Sequence, residues 1–184
     1  MYAAVIVETR KISNLDTIIG SHMDKLPNDF QLIAFNANDF SINSLYDYNT
    51  LLTSISFWSN LLKYDRVLIF QQDSGILREG IEEFYQWDYI GAPWQFQDHG
   101  GNGGLSLRNP KAMIKTIMNN HYNPSAGNED IYFSNHLIGN LAPRSECKKF
   151  SVESEFILGT FGYHFGDDSK RYLSDDQIEE IKKQ

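Results

Sequence analysis

The residue best suited by type and position to do chemistry is Asp73, in F-Q-Q-D-S from Phe70 to Ser74. It follows the apolar run Val67 to Phe70, which suits a strand covered on both faces in an α/β sheet. The carboxyl end of such a strand delivers Gln71, Gln72, Asp73 and Ser74 to the crevice where open α/β sheets bind ligands. Asp, Ser and Gly also form ordinary turns, so a turn-capping Asp73 stands beside a ligand-binding one. Glu8, Thr9 and Arg10 close the apolar run Tyr2 to Val7 in the same way. There they suit a base, a ribose or a phosphate, or equally a solvated loop. In N-E-D-I-Y-F-S, Glu129 and Asp130 open a helix with Asn128 as its cap. Such a pair is either catalytic or simply favoured by the helix macrodipole.

Glycines at 100, 101, 103 and 104, in the stretch that continues G-N-G-G-L-S-L-R to Arg108, permit positive φ and close approach of a ligand to the backbone. A tight hairpin or bulge is the plainer use, though it needs fewer glycines. Trp94, at the mouth of the loop Gln95 to Gly101, can stack on a sugar face or fill the core. Late in the chain, His164 sits among glycines and aromatics in G-T-F-G-Y-H-F-G.

These residues need a scaffold, and the hydrophobic patterning predicts one. Strands are expected at Tyr2 to Val7, Phe30 to Phe35, Val67 to Phe70, Tyr89 to Ile90 and Leu105 to Arg108. Helices follow Ser13 or Asn14, run from about Thr50 to Lys63, and start at Pro110 and Asn128. His22 falls on the apolar stripe of the first helix and reads as a packed histidine. Lys148 to Glu153 reads as an edge strand. Strand, helix, strand, helix, strand implies a mostly parallel sheet with right-handed crossovers and a nucleotide-binding-like, Rossmann-like N-terminal half. The expected organisation is one domain over residues 1–166 and a charged tail over 167–184, either a solvated helix or a docking element.

Composition removes several function classes. With 16 basic against 24 acidic residues and no Lys/Arg cluster, the chain lacks a nucleic-acid footprint. Neither G-x-G-x-x-G nor G-x-x-x-x-G-K-[ST] follows a strand, so dinucleotide and P-loop binding are not signalled. Cys147 is the single cysteine, which rules out an intrachain disulfide and fits a reducing compartment. No signal-peptide pattern or membrane span is read at the N-terminus, and a cytoplasmic setting is expected.

Taken together, F-Q-Q-D-S, Y-I-G-A-P-W, G-N-G-G-L-S-L-R, N-E-D-I-Y-F and F-G-Y-H-F resemble the glycosyltransferase A fold, whose members carry a D-x-D metal motif, a glycine loop, an x-E-D motif and a C-terminal histidine. More closely, they are similar to an uncharacterised family of glycosyltransferase-like domains from bacteria and large viruses, over roughly Tyr2 to Gly166. The resemblance implies a three-layer α/β/α sandwich that transfers a sugar from a nucleoside diphosphate sugar to a glycan or other hydroxyl acceptor. It also implies roles. Glu8, Thr9, Arg10 and Gln71 to Ser74 would hold the donor nucleotide. Asp73 and His164 would bind Mn²⁺ or Mg²⁺, while Trp94, Asn102, Gly103 and Gly104 would line the sugars. Asp130 would be the general base of an inverting displacement, with Glu129 orienting the acceptor. One position departs from the pattern: Gln71 replaces the first aspartate of D-x-D. That leaves a weaker cation site, or a metal-free one in which Arg10 or Arg78 neutralises the diphosphate. A non-catalytic sugar-nucleotide or glycan-binding module is the rival reading, and a nucleotidyltransferase comes third.

Overall fold

The apolar runs become the inner strands of a five-stranded sheet in the computed structural model of the chain, which describes residues 1–95, 97–166 and 169–184. Strand β1 (Tyr2–Val7) pairs in parallel with β2 (Phe30–Phe35) on one side and with β3 (Arg66–Phe70) on the other. The connections are helical: α1 (Leu15–Met23) between β1 and β2, then α2 (Leu45–Leu52) and α3 (Ile55–Ser59) between β2 and β3. The single helix expected over Thr50 to Lys63 is therefore two. Ser54 interrupts it, its hydroxyl accepting from the Phe57 N–H at 3.3 Å as the cap of α3, while the Trp58 indole donates to the Leu52 carbonyl at 2.6 Å. At α1, Asn14 occupies the cap position without a side-chain cap bond.

Past β3 the parallel pattern ends. The short β4 (Ser74–Ile76) leaves the main sheet, and β5 (Tyr89–Gly91) and β6 (Leu105–Arg108) complete it in the order β2-β1-β3-β6-β5. β6 runs antiparallel to both β3 and β5, so the sheet is mixed and not mostly parallel. The reason is the connection: the glycine-rich loop carries the chain from β5 straight back into β6, and a returning loop without a crossover helix makes an antiparallel pair.

Both faces of the sheet are covered. Alternate residues Ala4, Ile6, Leu68, Phe70, Leu105 and Leu107 point to one side, against α1 and Phe84, Phe150 and Phe161. Ala3, Val5, Val67 and Ile69 point to the other, against Leu52, Phe57, Trp58, α4 (Pro110–Asn119) and α5 (Glu129–His136). His22 is packed as its place on the stripe implies, stacked on Phe70 at 4.4 Å.

The expected edge strand at Lys148 to Glu153 is mostly helix: α6 (Arg144–Phe150) ends into the two-residue β7 (Ser151–Val152). With β4 and β8 (Gly162–His164) it makes a second, three-stranded sheet in which Ser74 lies opposite His164. Cys147, on α6, is buried in the core on one face of the main sheet, its thiol pushed up to about 11 by burial. In the tail, Asp167 and Asp168 lie outside the described residues, as does Phe96 of the loop beside Trp94. The rest of the tail is not a bare solvated helix. A capping box at Ser174 and Gln177 starts α7 (Asp175–Lys182), which buries Ile178 and Ile181 against Val152 and Leu173. No helix among the described residues is long and apolar enough to cross a membrane.

Candidate functional site

Because β1 and β3 run in parallel, their carboxyl ends open on the same side of the sheet. Glu8, Thr9, Arg10, Gln71, Gln72 and Asp73 consequently line one cleft of about 650 Å³, with Ile42 to Leu45, Tyr48, Gly166 and Lys170. That volume lies within the range of small-molecule sites. Glu8 is buried and grips Arg10, accepting from Nε at 2.8 Å, from Nη2 at 2.7 Å and from the Arg10 backbone N–H at 2.9 Å. Burial alone would raise the Glu8 carboxyl, but these bonds hold it below the usual range. Thr9 is tied down by donating to the Ile42 carbonyl at 3.0 Å. Ser74 is not brought to the cleft. Its hydroxyl is buried between the Gln71 carbonyl at 2.6 Å and His22 Nε2 at 3.1 Å. Arg78 pairs with Glu83 at 2.8 Å and is not among the cleft's lining residues.

The second sheet brings the late histidine to the early aspartate. His164 Nε2 lies 3.4 Å from Asp73 Oδ1, and Nδ1 lies 3.6 Å from Glu153 Oε1. Both contacts are of charge and fall short of hydrogen-bond geometry, for Asp73 Oδ1 and His164 Nδ1 are buried without a hydrogen-bond partner. Burial alone would push the imidazole down, yet the two carboxylates carry it up to about 9. Burial would likewise raise Asp73, and the facing His164 together with Arg10 keeps it below its ordinary value. The same Glu153 oxygen, Oε1, accepts from Asn102 Nδ2 at 2.6 Å, while Asn102 Oδ1 accepts from the Gly104 N–H at 3.0 Å.

The glycine loop matters here for close approach. A Cβ on Gly104 would sit 2.3 Å from His164 Nε2, and one on Gly103 would sit 2.6 Å from Glu129 Oε1. Only the missing side chains let histidine, loop and α5 converge. At the start of α5, Glu129 is buried and both of its oxygens are taken by the equally buried Arg108, at 2.6 and 3.0 Å. Arg108 in turn lies over the rings of Tyr89 and Phe133. Asp130 stands beside this pair with its own donors, the Gly103 N–H at 3.0 Å and the Ile131 N–H at 2.8 Å. Burial and the neighbouring Glu129 charge outweigh those bonds and push its carboxyl up to about 7.

Three spaces join into one trough. A central cleft of about 240 Å³ shares Leu45, Tyr48, Gln71 and Gly166 with the large cleft. It also shares Asn102, Asn128, Asp130 and Glu153 with an outer pocket of about 180 Å³, which Trp94 lines. Asp73 thus faces one end, Asp130 the middle and Trp94 the other end. A group of this kind can hold an anionic ligand beside Asp73 and Arg10 and take a proton at Asp130. Sequence reasoning passes over Glu153, Tyr48 and Lys170, which also line the trough. Tyr48 lies just before the helix expected from about Thr50 and is brought to the trough by α2, which starts earlier, at Leu45. Arg108, within the glycine-loop motif, reads only as the end of a strand; its role shows in the pairing with Glu129.

Comparison with solved structures places the fold. A crystal structure of a glycosyltransferase involved in the glycosylation of the major capsid of PBCV-1 superposes with a TM-score of 0.60 over 99% of both chains, at 6% sequence identity. At that identity the likeness concerns the fold alone, and the chain has a glycosyltransferase-like α/β fold. The crystal structure of A197 from STIV is more distant, with a TM-score of 0.43, 10% identity and coverage of 72% of this chain and 76% of that one. No curated protein matches the sequence. By sequence the match is to a family over residues 29–164, a span that holds Asp73, the glycine loop, Glu129, Asp130, Glu153 and His164. The chain belongs to that family, described as protein of unknown function DUF5672.

Proposed function

We propose that the chain transfers a sugar from a nucleoside diphosphate sugar to a hydroxyl acceptor with inversion at the anomeric carbon. The observation that carries this reading is Asp130. It lies in the central cleft between a large nucleotide-sized cleft and an outer pocket, and its carboxyl is pushed up to about 7, where a general base is most effective. The glycosyltransferase-like fold agrees with it. In the transfer, the acceptor oxygen bonds to the anomeric carbon from the Asp130 side and its proton passes to an Asp130 oxygen. The bond from that carbon to the β-phosphate oxygen breaks, its electron pair leaving on the diphosphate. Glu8 and Arg10, locked together, form the cleft floor for the nucleotide. Glu129, both of whose oxygens accept from Arg108, positions Asp130 and the loop.

The residues present fit a divalent cation. Asp73 Oδ1 is a buried oxygen without a hydrogen-bond partner, and it faces an imidazole nitrogen 3.4 Å away. Asp73 and His164 would hold Mn²⁺ or Mg²⁺ once the imidazole gives up the proton that Asp73 and Glu153 favour, so binding would release a proton and strengthen as pH rises. Among the described residues no three acidic, His or Cys side chains are grouped to hold a metal, so donor phosphate oxygens must supply further ligands. Bound there, the cation would neutralise the leaving diphosphate. The limited protein ligand set and Gln71 favour one second reading, a sugar-nucleotide-binding module without turnover.

A donor panel with and without Mn²⁺ tests the choice. We expect one nucleoside diphosphate sugar to be consumed, and Asp130→Asn to slow its transfer by about 10² or more with donor affinity nearly unchanged. Equal transfer by Asp130→Asn would remove the base assignment, and donor binding without consumption would favour the module.

A further inference from the structure

The outer pocket has features that the donor reading does not use. Its wall includes Trp94, which is mostly sunk in the core at 5% exposed, the half-exposed Tyr172, Asn102 and Asn128, the acids Asp130 and Glu153, and one cation, Arg171. Ser154 also lines it, and the Ser154 hydroxyl is buried with no hydrogen-bond partner. A buried hydroxyl left unsatisfied is costly unless something meets it. Rings interleaved with paired donors and acceptors match the alternating C–H faces and hydroxyl edges of a sugar. Asp130 and Glu153 outnumber Arg171 in this small space and disfavour an anionic guest, and the polar wall gives no continuous apolar surface for an acyl chain.

From this we infer that the outer pocket takes one neutral monosaccharide unit of a glycan as the acceptor, and that Tyr172 selects which sugar fits. The inference rests on the transfer reading above and specifies its acceptor. Asp130 lines both the pocket and the central cleft, so a sugar seated against Trp94 and Tyr172 presents a hydroxyl to the base. The turn Ser169–Arg171 and Tyr172 lie beyond residue 164, where the family match ends. The pocket's outer wall thus lies beyond the span matched to the family, while its Asp130 side lies within that span.

The test measures binding without donor. The full chain is titrated with methyl glycosides of glucose, galactose, mannose, xylose, rhamnose, fucose and N-acetylglucosamine, followed by saturation-transfer NMR. Tyr172→Ala removes a half-exposed ring, and Ser154→Ala removes only the orphan hydroxyl. Melting temperature checks that both variants fold. We expect one or a few glycosides to bind, about five- to tenfold more weakly to Tyr172→Ala, and measurably more weakly to Ser154→Ala. Binding to none, with or without a nucleotide sugar present, or binding that both variants leave unchanged, overturns the inference. Donor consumption is followed in parallel to separate the two readings. A donor consumed while glycosides ignore the pocket variants leaves transfer standing and removes this acceptor site. Glycoside binding that both variants weaken, with no donor ever consumed, keeps the sugar site and removes transfer.

Discussion

Asp130→Asn should do more than slow transfer: it should change how stability depends on pH. An Asp in an unfolded chain titrates near 4, whereas the folded carboxyl is pushed up to about 7 by burial and by Glu129. The folded state therefore holds its proton more tightly. Stability is fully present below the unfolded value and is lost as pH rises towards the folded one. Between pH 5 and pH 7 the wild type loses about 1.4 kcal/mol per pH unit from this group, a ceiling of about 2.7 kcal/mol. The side chain lines an open trough, so about 1–2 kcal/mol is the realistic expectation after solvent screening. Asparagine cannot ionise and escapes this loss. It also cannot accept from both Gly103 and Ile131 with one oxygen, which costs about 1–3 kcal/mol independent of pH. The discriminating quantity is therefore the change in the mutational effect with pH. Urea denaturation of both proteins at pH 5 and pH 8 should show the variant gaining about 1–2 kcal/mol on the wild type across that interval. A mutational effect that is flat from pH 5 to pH 8 would refute the raised carboxyl and, with it, the poised base.

Two further perturbations probe the frame around Asp130. Arg108→Ala strands Glu129 in the core and should cost about 3–5 kcal/mol in urea melts, while the double change Arg108→Met with Glu129→Leu should cost much less; equal losses would mean that the charges are not what the site protects. Gly104→Ala drives a methyl group to 2.3 Å from the His164 ring and should remove the Mn²⁺-dependent part of any thermal stabilisation by nucleoside diphosphates. Retention of that part by the variant would take His164 out of the cation site.

Much of the scaffold was legible because local patterning decided it. The runs at Tyr2 to Val7 and Phe30 to Phe35 became strands of those same bounds, and Asn109 with Pro110 started α4 as their order implies. What went unseen depended on partners distant in sequence. Nothing around Ser151 or Gly162 announces that these short segments pair with each other and that the second also pairs with β4, so Glu153 drew no notice although it stands between Asn102 and His164. Ser74 looked like part of the polar tip because the periodicity does not reveal where β3 ends and β4 begins. The direction of β6 was equally hidden, since Leu105 to Arg108 reads the same whichever way it is entered. For Glu129, two explanations of an acid at a helix start were visible, catalysis and the macrodipole. Its partnership with Arg108 is a third that only the fold supplies.

The small second sheet also sets the order in which the trough can exist. As a chain emerges from the ribosome, β1, β3 and the glycine loop are available early, with Asp130 soon after. β4 then has no partner until β8 has been made, and the wall carrying Ser169 and Tyr172 comes later still. A nascent chain thus has the β1 and β3 side of the large cleft before it has His164 beside Asp73, the Gly166 and Lys170 side of that cleft, or a closed outer pocket. In the proposed reaction, a half-made enzyme that activated its donor would waste it on water. Placing His164 on a late strand makes its meeting with Asp73 wait for completion of the second sheet.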